Sequence, residues 1–237
     1  MATSAPAAAE IAAVIGNPAR ANVLTALLDG RALTAKELAY AAGVSPQTTS
    51  GHLARLTDAR LLAVTRQGRY AYFRLASPQV ARMLESIMVV AADGPKPRRP
   101  RWRADSGLRV ARTCYDHLAG RLGVALADVL AERAHVVLDA DGGIVTPAGA
   151  AFLGRLGIDV TVLAQERRAF CRPCLDWSER RPHLAGAVGA ALAGRCFSLG
   201  WITRSRDSRA LEVCATGHEG FRDMFGIDLA ALADAGP

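Results

Sequence analysis

Five side chains in the second half of the chain have the chemistry of metal ligands. Cys114 and His117 are three residues apart, Cys171 and Cys174 form a Cys-x-x-Cys pair, and His183 follows. Thiolate sulfur and imidazole nitrogen are the donors that bind zinc and other thiophilic ions tetrahedrally. The spacing predicts a zinc or other thiophilic metal site at Cys114, His117, Cys171 and Cys174, with His183 as the alternative ligand. The fold must bring the two pairs together.

The same cysteines leave two other interpretations open. Arg168 and Arg172 lie close in sequence to Cys171 and Cys174, and nearby positive charge favours the reactive thiolate that a redox switch needs. In the third interpretation the cysteines pack as small apolar residues and the cleft of this domain binds an organic ligand.

A repeat positions these residues. The segment His-Leu-Ala-Gly-Arg-Leu-Gly-Val-Ala-Leu-Ala at 117–127 recurs at 183–193 with eight of 11 residues identical. Residues 104–237 are therefore interpreted as a tandem duplication, with repeats at about 108–160 and 174–229, each a helix, a hairpin and a helix in a winged-helix-like order about a pseudo-twofold axis. In this prediction Cys114 and His117 project from one face at the start of the first repeat helix.

The first third of the chain carries local signals for two short helices. Thr34 followed by Glu37 is a capping box, and Gly43 suits the residue after a helix end. Ser45 is an N-cap and Pro46 fits the first position of a second helix. Two short helices around a tight turn that contains glycine predict a helix-turn-helix.

Further elements complete this domain. Two β runs, 61–66 and 69–75, flank Gln67-Gly68 and predict a hairpin, the wing. Helices are predicted at 7–15, from Pro18 to about Leu28, and again from Ser77-Pro78. The predicted fold class is mainly α with small β-hairpins: a winged helix-turn-helix over 7–92, a basic proline-rich linker over 93–103, and the duplicated domain.

Short polar and basic side chains cover the outer face of the second helix and the tip of the wing. Such side chains contact base edges and phosphates in DNA grooves. The predicted DNA-binding residues are Ser45, Gln47, Thr48, Ser50, His52, Arg55, Arg66 and Arg69.

The domain resembles the winged helix-turn-helix of the ArsR-type (arsenic-repressor) family. The resemblance covers residues 7–92 and rests on Asn17-Pro18-Ala19-Arg20, Glu37-Leu38-Ala39 and the segment 44–53. It implies a homodimeric repressor of a palindromic operator that is released by an effector, with the first and last helices of the domain at the dimer interface. Residues 34–43 contain no cysteine, and 78–92 contain no His, Asp or Cys. Effector sensing is therefore expected in residues 104–237.

Composition agrees with a transcriptional regulator. A net charge of +7 fits a polyanionic partner, and 51% hydrophobic residues are ample for packed cores. No apolar run has the length of a membrane span and the first residues lack the basic start of a signal peptide, so we expect a cytoplasmic protein without a membrane partner. The phosphate-loop, Gly-x-Ser-x-Gly and His-Glu-x-x-His motifs are absent, so no enzyme is predicted. The competing hypothesis is a DNA-tethered thiol redox protein or enzyme that uses the C-terminal cleft.

Overall fold

The computed structural model describes residues 5–68, 70–93, 106–139, 142–205 and 209–234. The chain divides into two compact units, Met1–Glu85 and Ser86–Pro237. Except for Asp93, the predicted linker over 93–103 lies outside the described residues.

The elements of the first unit follow the order predicted for a winged helix-turn-helix. A 3₁₀ turn at Leu27–Asp29 extends the second helix, and the last helix crosses the division between the two units. The elements are α1 Ala5–Ile15, α2 Pro18–Ala26, β1 Leu33–Thr34, α3 Ala35–Ala42, α4 Pro46–Asp58, β2 Leu62–Gln67, β3 Tyr70–Leu75 and α5 Pro78–Asp93.

The predicted helix caps and the turn between α3 and α4 are present. Thr34 Oγ1 accepts a hydrogen bond from the Glu37 amide at 3.4 Å, while the Glu37 carboxylate accepts from the Thr34 amide at 2.7 Å. Gly43 ends α3 with a φ of 66°, a left-handed conformation that favours glycine. Ser45 Oγ accepts from the Thr48 amide at 3.2 Å and begins α4. The helix-turn-helix prediction is confirmed.

The wing is a three-stranded antiparallel sheet in the order β1-β3-β2. The short strand β1 was not predicted, because two residues are too few to show an alternating pattern. The core of this unit consists of fully buried leucines from the helices, with others from the wing: Leu24, Leu27, Leu28, Leu38, Leu53, Leu56, Leu62 and Leu75.

Besides the end of α5, the second unit contains four two-stranded hairpins and seven helices among its described residues. The first half consists of α6 Ser106–Val110, β4 Arg112–Cys114, β5 His117–Ala119, α7 Gly120–Glu132, β6 Val136–Leu138, β7 Gly143–Val145, α8 Pro147–Arg155 and α9 Val160–Leu163. The second half consists of β8 Arg172–Leu175, β9 Pro182–Ala185, α10 Gly186–Ser198, β10 Ile202–Arg204, β11 Leu211–Val213, α11 Ala215–Phe225 and α12 Leu229–Asp234.

Each half contains the predicted helix, hairpin and helix, but an additional hairpin precedes the first helix. The prediction that Cys114 and His117 stand at the start of a helix is wrong. They close the hairpin β4-β5 around Tyr115 and Asp116, and α7 begins only at Gly120. Strands of three residues leave too little periodicity to be recognised in the sequence.

The two halves of the second unit interlock. Helix α7 packs on strand β9 of the other half, and α10 packs on strand β5. One hydrophobic core runs through both, and it includes Leu122, Leu126, Phe152, Val188, Leu192, Phe221 and Phe225. Neither half therefore forms a core of its own.

Among the described residues no single helix is long and apolar enough to cross a membrane. The segments Ala7–Ile15 and Pro18–Asp29 reach that length only as a pair, and they are bent by 86° relative to each other.

Candidate functional site

Four ligand atoms converge where the hairpins of the two halves meet. Cys114 is the cross-strand neighbour of His117, and Cys174 is the cross-strand neighbour of His183. The two Sγ atoms are 3.8 Å apart, and the two Nε2 atoms are 3.1 Å apart. One donor atom from each residue lies within 4.8 Å of the others. Three of these residues are buried and Cys174 is half-buried. We call the four residues, two cysteines and two histidines, the Cys₂His₂ cluster.

Glycines allow this convergence. A Cβ added to Gly123 on α7 would lie 3.5 Å from the Cβ of His183, and one added to Gly189 on α10 would lie 3.3 Å from the Cβ of His117. Each first-turn glycine thus faces the histidine of the other half. The contacts that require glycine are with backbone, because an added Cβ would lie 2.5 Å from the Leu118 carbonyl oxygen at Gly123 and 2.3 Å from the Leu184 carbonyl oxygen at Gly189.

A carboxylate stands behind each histidine. Oδ1 of Asp116 is 3.1 Å from Nδ1 of His117. Oδ2 of Asp176 is 3.5 Å from Nδ1 of His183, which is longer than a good hydrogen bond. That nitrogen is buried and makes no hydrogen bond within the described part of the chain.

Asp176 is fully buried and tightly held. Its Oδ2 accepts from Nη2 of Arg112 at 2.8 Å and from the Gly120 amide at 2.7 Å, and its Oδ1 accepts from the Ser178 amide and hydroxyl. Burial alone would raise the pKa of Asp176, but the charge and hydrogen bond of Arg112 outweigh burial and hold that pKa well below its usual range. The carboxyl is therefore ionised, as a buried carboxylate with a paired guanidinium can be.

Hydrogen bonding also shifts the cluster toward its charged forms. The hydrogen bond with Cys114 and those with both histidines outweigh burial and lower the pKa of the Cys174 thiol. Burial opposes protonation of His117, yet its hydrogen bonds with Asp116 and Cys174 raise its pKa. A thiolate at Cys174 and a proton on His117 are therefore favoured here.

Cys171 stands apart from the cluster. It lies in the hydrophobic core, and a Cβ added to Gly143 would be 3.0 Å from its Sγ. Burial raises the pKa of its thiol to about 11, so the basic residues nearby in sequence do not make it a thiolate. Arg168 instead pairs with Asp116 at 2.8 Å. The structure brings together three of the four predicted ligands, and His183, the alternative, occupies the place assigned to Cys171.

A second repeated motif in the sequence predicts that Cys114 and Cys174 are equivalent. Arg-x-Cys-x-Asp occurs at 112–116 and again at 172–176. The cysteines are 60 residues apart whereas the histidines are 66 apart, because the hairpin β8-β9 has a longer loop. Aligning both motifs would have paired the two cysteines, placed Asp116 and Asp176 in equivalent positions beside the histidines, and revealed Arg112, which the sequence analysis did not identify.

Helix α4 presents the other candidate site. Its inner face is anchored by Thr49, Leu53 and Leu56, all buried. The predicted DNA-binding residues on the opposite side are exposed, except His52, which is half-buried: Ser45, Gln47, Thr48, Ser50 and Arg55. Arg66 is exposed on β2, and Arg69 lies outside the described residues. The Ser45 and Ser50 hydroxyls also bond locally, to Thr48 Oγ1 and the Pro46 carbonyl.

Comparisons with known proteins also identify a helix-turn-helix domain. A family model described as a helix-turn-helix domain matches residues 15–65. The HTH-type transcriptional regulator YdfF of Bacillus subtilis is 38% identical over 224 residues, which cover 94% of this chain and 99% of YdfF. The HTH-type transcriptional regulator CmtR of Mycobacterium tuberculosis is 33% identical over 93 residues, 38% of this chain and 78% of CmtR.

A solved structure is similar to part of this chain. It is the homodimeric winged helix-turn-helix DNA-binding domain of Mb0332 from Mycobacterium bovis, a possible ArsR-family regulator, with 25% identity and a TM-score of 0.36. The matched region covers 43% of this chain and 100% of the Mb0332 domain.

Proposed function

Because this chain belongs to the helix-turn-helix transcriptional regulators, the family of YdfF and CmtR, we propose that it is a homodimeric repressor of a palindromic operator, released by an effector sensed in its second unit. The observation that carries the proposal is α4, a capped helix with a buried apolar face and an exposed polar one. This is the design of a recognition helix, whose inner side fixes its position while its outer side enters the major groove.

The exposed side chains of α4 divide between two tasks. Gln47, near the start of the helix, can form a bidentate pair with adenine, and each such pair contributes about 1–3 kcal/mol of discrimination. Two arginines can contact DNA phosphates: Arg55, two turns further along α4, and Arg66 on the wing. Such contacts add affinity without sequence preference. Ser45 and Thr48 hold the start of the helix in place.

Helix α5 supports the dimer. Ile87 is 45% exposed and Val90 is 72% exposed, and residues three apart lie on one side of a helix. Pairing this apolar stripe with its copy removes both from water. A closed dimer has twofold symmetry, and a twofold-symmetric reader requires a palindromic site.

The second unit supports the sensing role. An effector shifts a regulator between states only if it binds those states with different affinity. The described segments 34–43 and 78–93, which contain α3 and α5, have no cysteine or histidine, whereas the Cys₂His₂ cluster gathers four donors in the second unit.

The test measures binding of the full chain to DNA from its own promoter and to unrelated DNA of equal length. Fluorescence anisotropy at several salt concentrations gives the affinity for each DNA. Gln47→Ala should weaken promoter binding roughly 5- to 150-fold, corresponding to about 1–3 kcal/mol, and leave unrelated DNA unaffected. Arg55→Ala should weaken binding to both DNAs, because its charge adds affinity without sequence preference. Arg222→Ala, which removes an exposed arginine from α11, is the charge-matched control. Equal affinity for both DNAs, unchanged by Gln47→Ala, would contradict specific recognition.

A further inference from the structure

We propose that the Cys₂His₂ cluster binds one divalent, thiophilic ion of the zinc type per chain, through Cys114, His117, Cys174 and His183, and that this ion is the effector. The site would join the two halves of the second unit, because each contributes one cysteine and one histidine. The regulatory part of the inference rests on the proposed function, but the binding part does not.

The spacing of the donors fits a tetrahedral ion. With metal–sulfur bonds of about 2.3 Å and metal–nitrogen bonds of about 2.0–2.1 Å, a tetrahedron separates its two sulfurs by about 3.8 Å and its two nitrogens by about 3.3 Å. The corresponding distances in the cluster are 3.8 Å and 3.1 Å. A disulfide between the cysteines would instead require a sulfur–sulfur distance of about 2.05 Å.

The carboxylates select the correct form of each histidine. Asp116 faces Nδ1 of His117, and Asp176 faces Nδ1 of His183. A ring nitrogen beside a carboxylate keeps its proton, so once the cluster gives up any proton at Nε2, both Nε2 atoms, 3.1 Å apart, can direct lone pairs at one ion between them. Two lone pairs at that distance repel each other unless a cation lies between them. A carboxylate behind a histidine is also the usual outer shell of a metal site.

Charge balance favours a divalent ion. Two thiolates neutralise a 2+ charge, and each carboxylate has its own arginine: Arg168 for Asp116 at 2.8 Å and Arg112 for Asp176 at 2.8 Å. A buried site whose charges cancel avoids the cost of an unpaired buried charge. Four protein ligands also leave no position for a water molecule, which is typical of structural rather than catalytic zinc sites.

The ion would act on the packing of the two halves. Strands β5 and β9 carry the histidines, and helices α7 and α10 pack across them from the opposite half. The ion would hold these elements at the spacing that they already have, whereas without it no bond joins the two thiols or thiolates to the two imidazoles, and the halves are free to move apart. This gives the unit two arrangements with different metal affinity, as an effector requires.

The experiment uses the full chain, purified anaerobically and stripped with a chelator. Metal content after zinc reconstitution should be one ion per chain, and Co²⁺ should give the intense visible bands of a tetrahedral site with sulfur-to-cobalt charge transfer. Cys174→Ser and His183→Gln should weaken zinc binding more than 100-fold. Asp116→Asn, which changes only the outer shell, should weaken it about 10- to 100-fold.

Matched controls separate this site from the other thiols. Cys171→Ser and Cys214→Ser remove cysteines outside the cluster and should retain one tetrahedral Co²⁺ per chain. Absence of stoichiometric metal in the wild-type chain, weak octahedral Co²⁺ spectra, or loss of binding in Cys171→Ser but not in Cys174→Ser would overturn the site.

Promoter binding tests the regulatory part. Zinc-loaded and metal-free protein should differ at least about 5-fold in affinity for promoter DNA, within the range usual for allosteric coupling. Stoichiometric metal with equal DNA affinity would overturn the effector role and leave DNA binding intact. Stoichiometric metal in a chain that binds no DNA in either form would refute the proposed function while the metal site stood.

Discussion

Gly189→Ala should destabilise the second unit because its new methyl group meets backbone. The added Cβ would lie 2.3 Å from the Leu184 carbonyl oxygen and 2.8 Å from its carbon, and Cβ atoms in proteins do not approach within 3.0 Å. Both contacts involve main chain, so no side-chain rotation relieves them. Helix α10 must move away from β9 by at least about 0.7 Å, the difference between 3.0 and 2.3 Å.

Gly194→Ala provides the internal control for the magnitude. Gly194 lies on the same helix, is exposed, and would have no atom within 4 Å of its Cβ. Alanine there should stabilise the helix by about 0.5–1 kcal/mol. Gly189→Ala gains the same helix propensity but adds overpacking, which typically costs about 1–3 kcal/mol. The difference in unfolding free energy between the two variants therefore isolates the clash, at about 1–3 kcal/mol.

Denaturant unfolding followed by circular dichroism measures this difference, and thermal unfolding should separate the variants by several degrees. A second measurement tests the link to the cluster, since the same Cβ would lie 3.3 Å from the Cβ of His117. Co²⁺ affinity should fall in Gly189→Ala and remain unchanged in Gly194→Ala. Equal stability of the two variants would refute the steric argument.

Three further predictions test the ion pair, the cap and the dimer. Asp176→Asn should lower the unfolding free energy by about 3–5 kcal/mol, because it leaves a buried guanidinium without its counter-charge; denaturant unfolding measures the loss. Glu37→Gln should cost about 0.3–1 kcal/mol at neutral pH. Because the hydrogen bonds from Thr34 lower the pKa of Glu37, this advantage is complete above the unfolded pKa of about 4.3 and is lost as pH falls through the folded value, which unfolding at a series of pH values would detect. Ile87→Glu should shift sedimentation toward the monomer, whereas Val137→Glu, on an exposed strand of the second unit, should not; two identical profiles would argue against α5 as the interface.

The first unit was predictable because its signals are local. The capping box of Thr34 and Glu37, the left-handed Gly43 and the cap at Ser45 each act within a few residues, so the sequence contains the whole interaction. The resemblance to ArsR-type regulators is borne out at the level of a winged helix-turn-helix of a transcriptional regulator.

The second unit was predictable only where the repeat is long. The segment at 117–127 identified α7, and its copy identified α10, but three-residue strands before each helix have no periodic pattern. The pairing of Cys114 with His117 depends on a two-residue turn in which Tyr115 has a φ of 60°, a conformation that an ordinary tyrosine rarely adopts. Cys171 was assigned as a ligand on its Cys-x-x-Cys spacing, which does not reveal that its side chain enters the core.

The unequal hairpins explain how two similar halves make one site. The longer loop of β8-β9 carries Asp176 across to Arg112 and the Gly120 amide of the first half, so the carboxylate behind His183 is fixed by residues of the opposite repeat. Asp116, in the two-residue turn, remains 29% exposed and is paired with Arg168. One histidine is therefore held by a buried network that spans both halves, and the other by a pair near the surface. Because half of the donors and one outer-shell anchor come from each repeat, the site exists only when the two halves are packed, and whatever binds there acts on that packing.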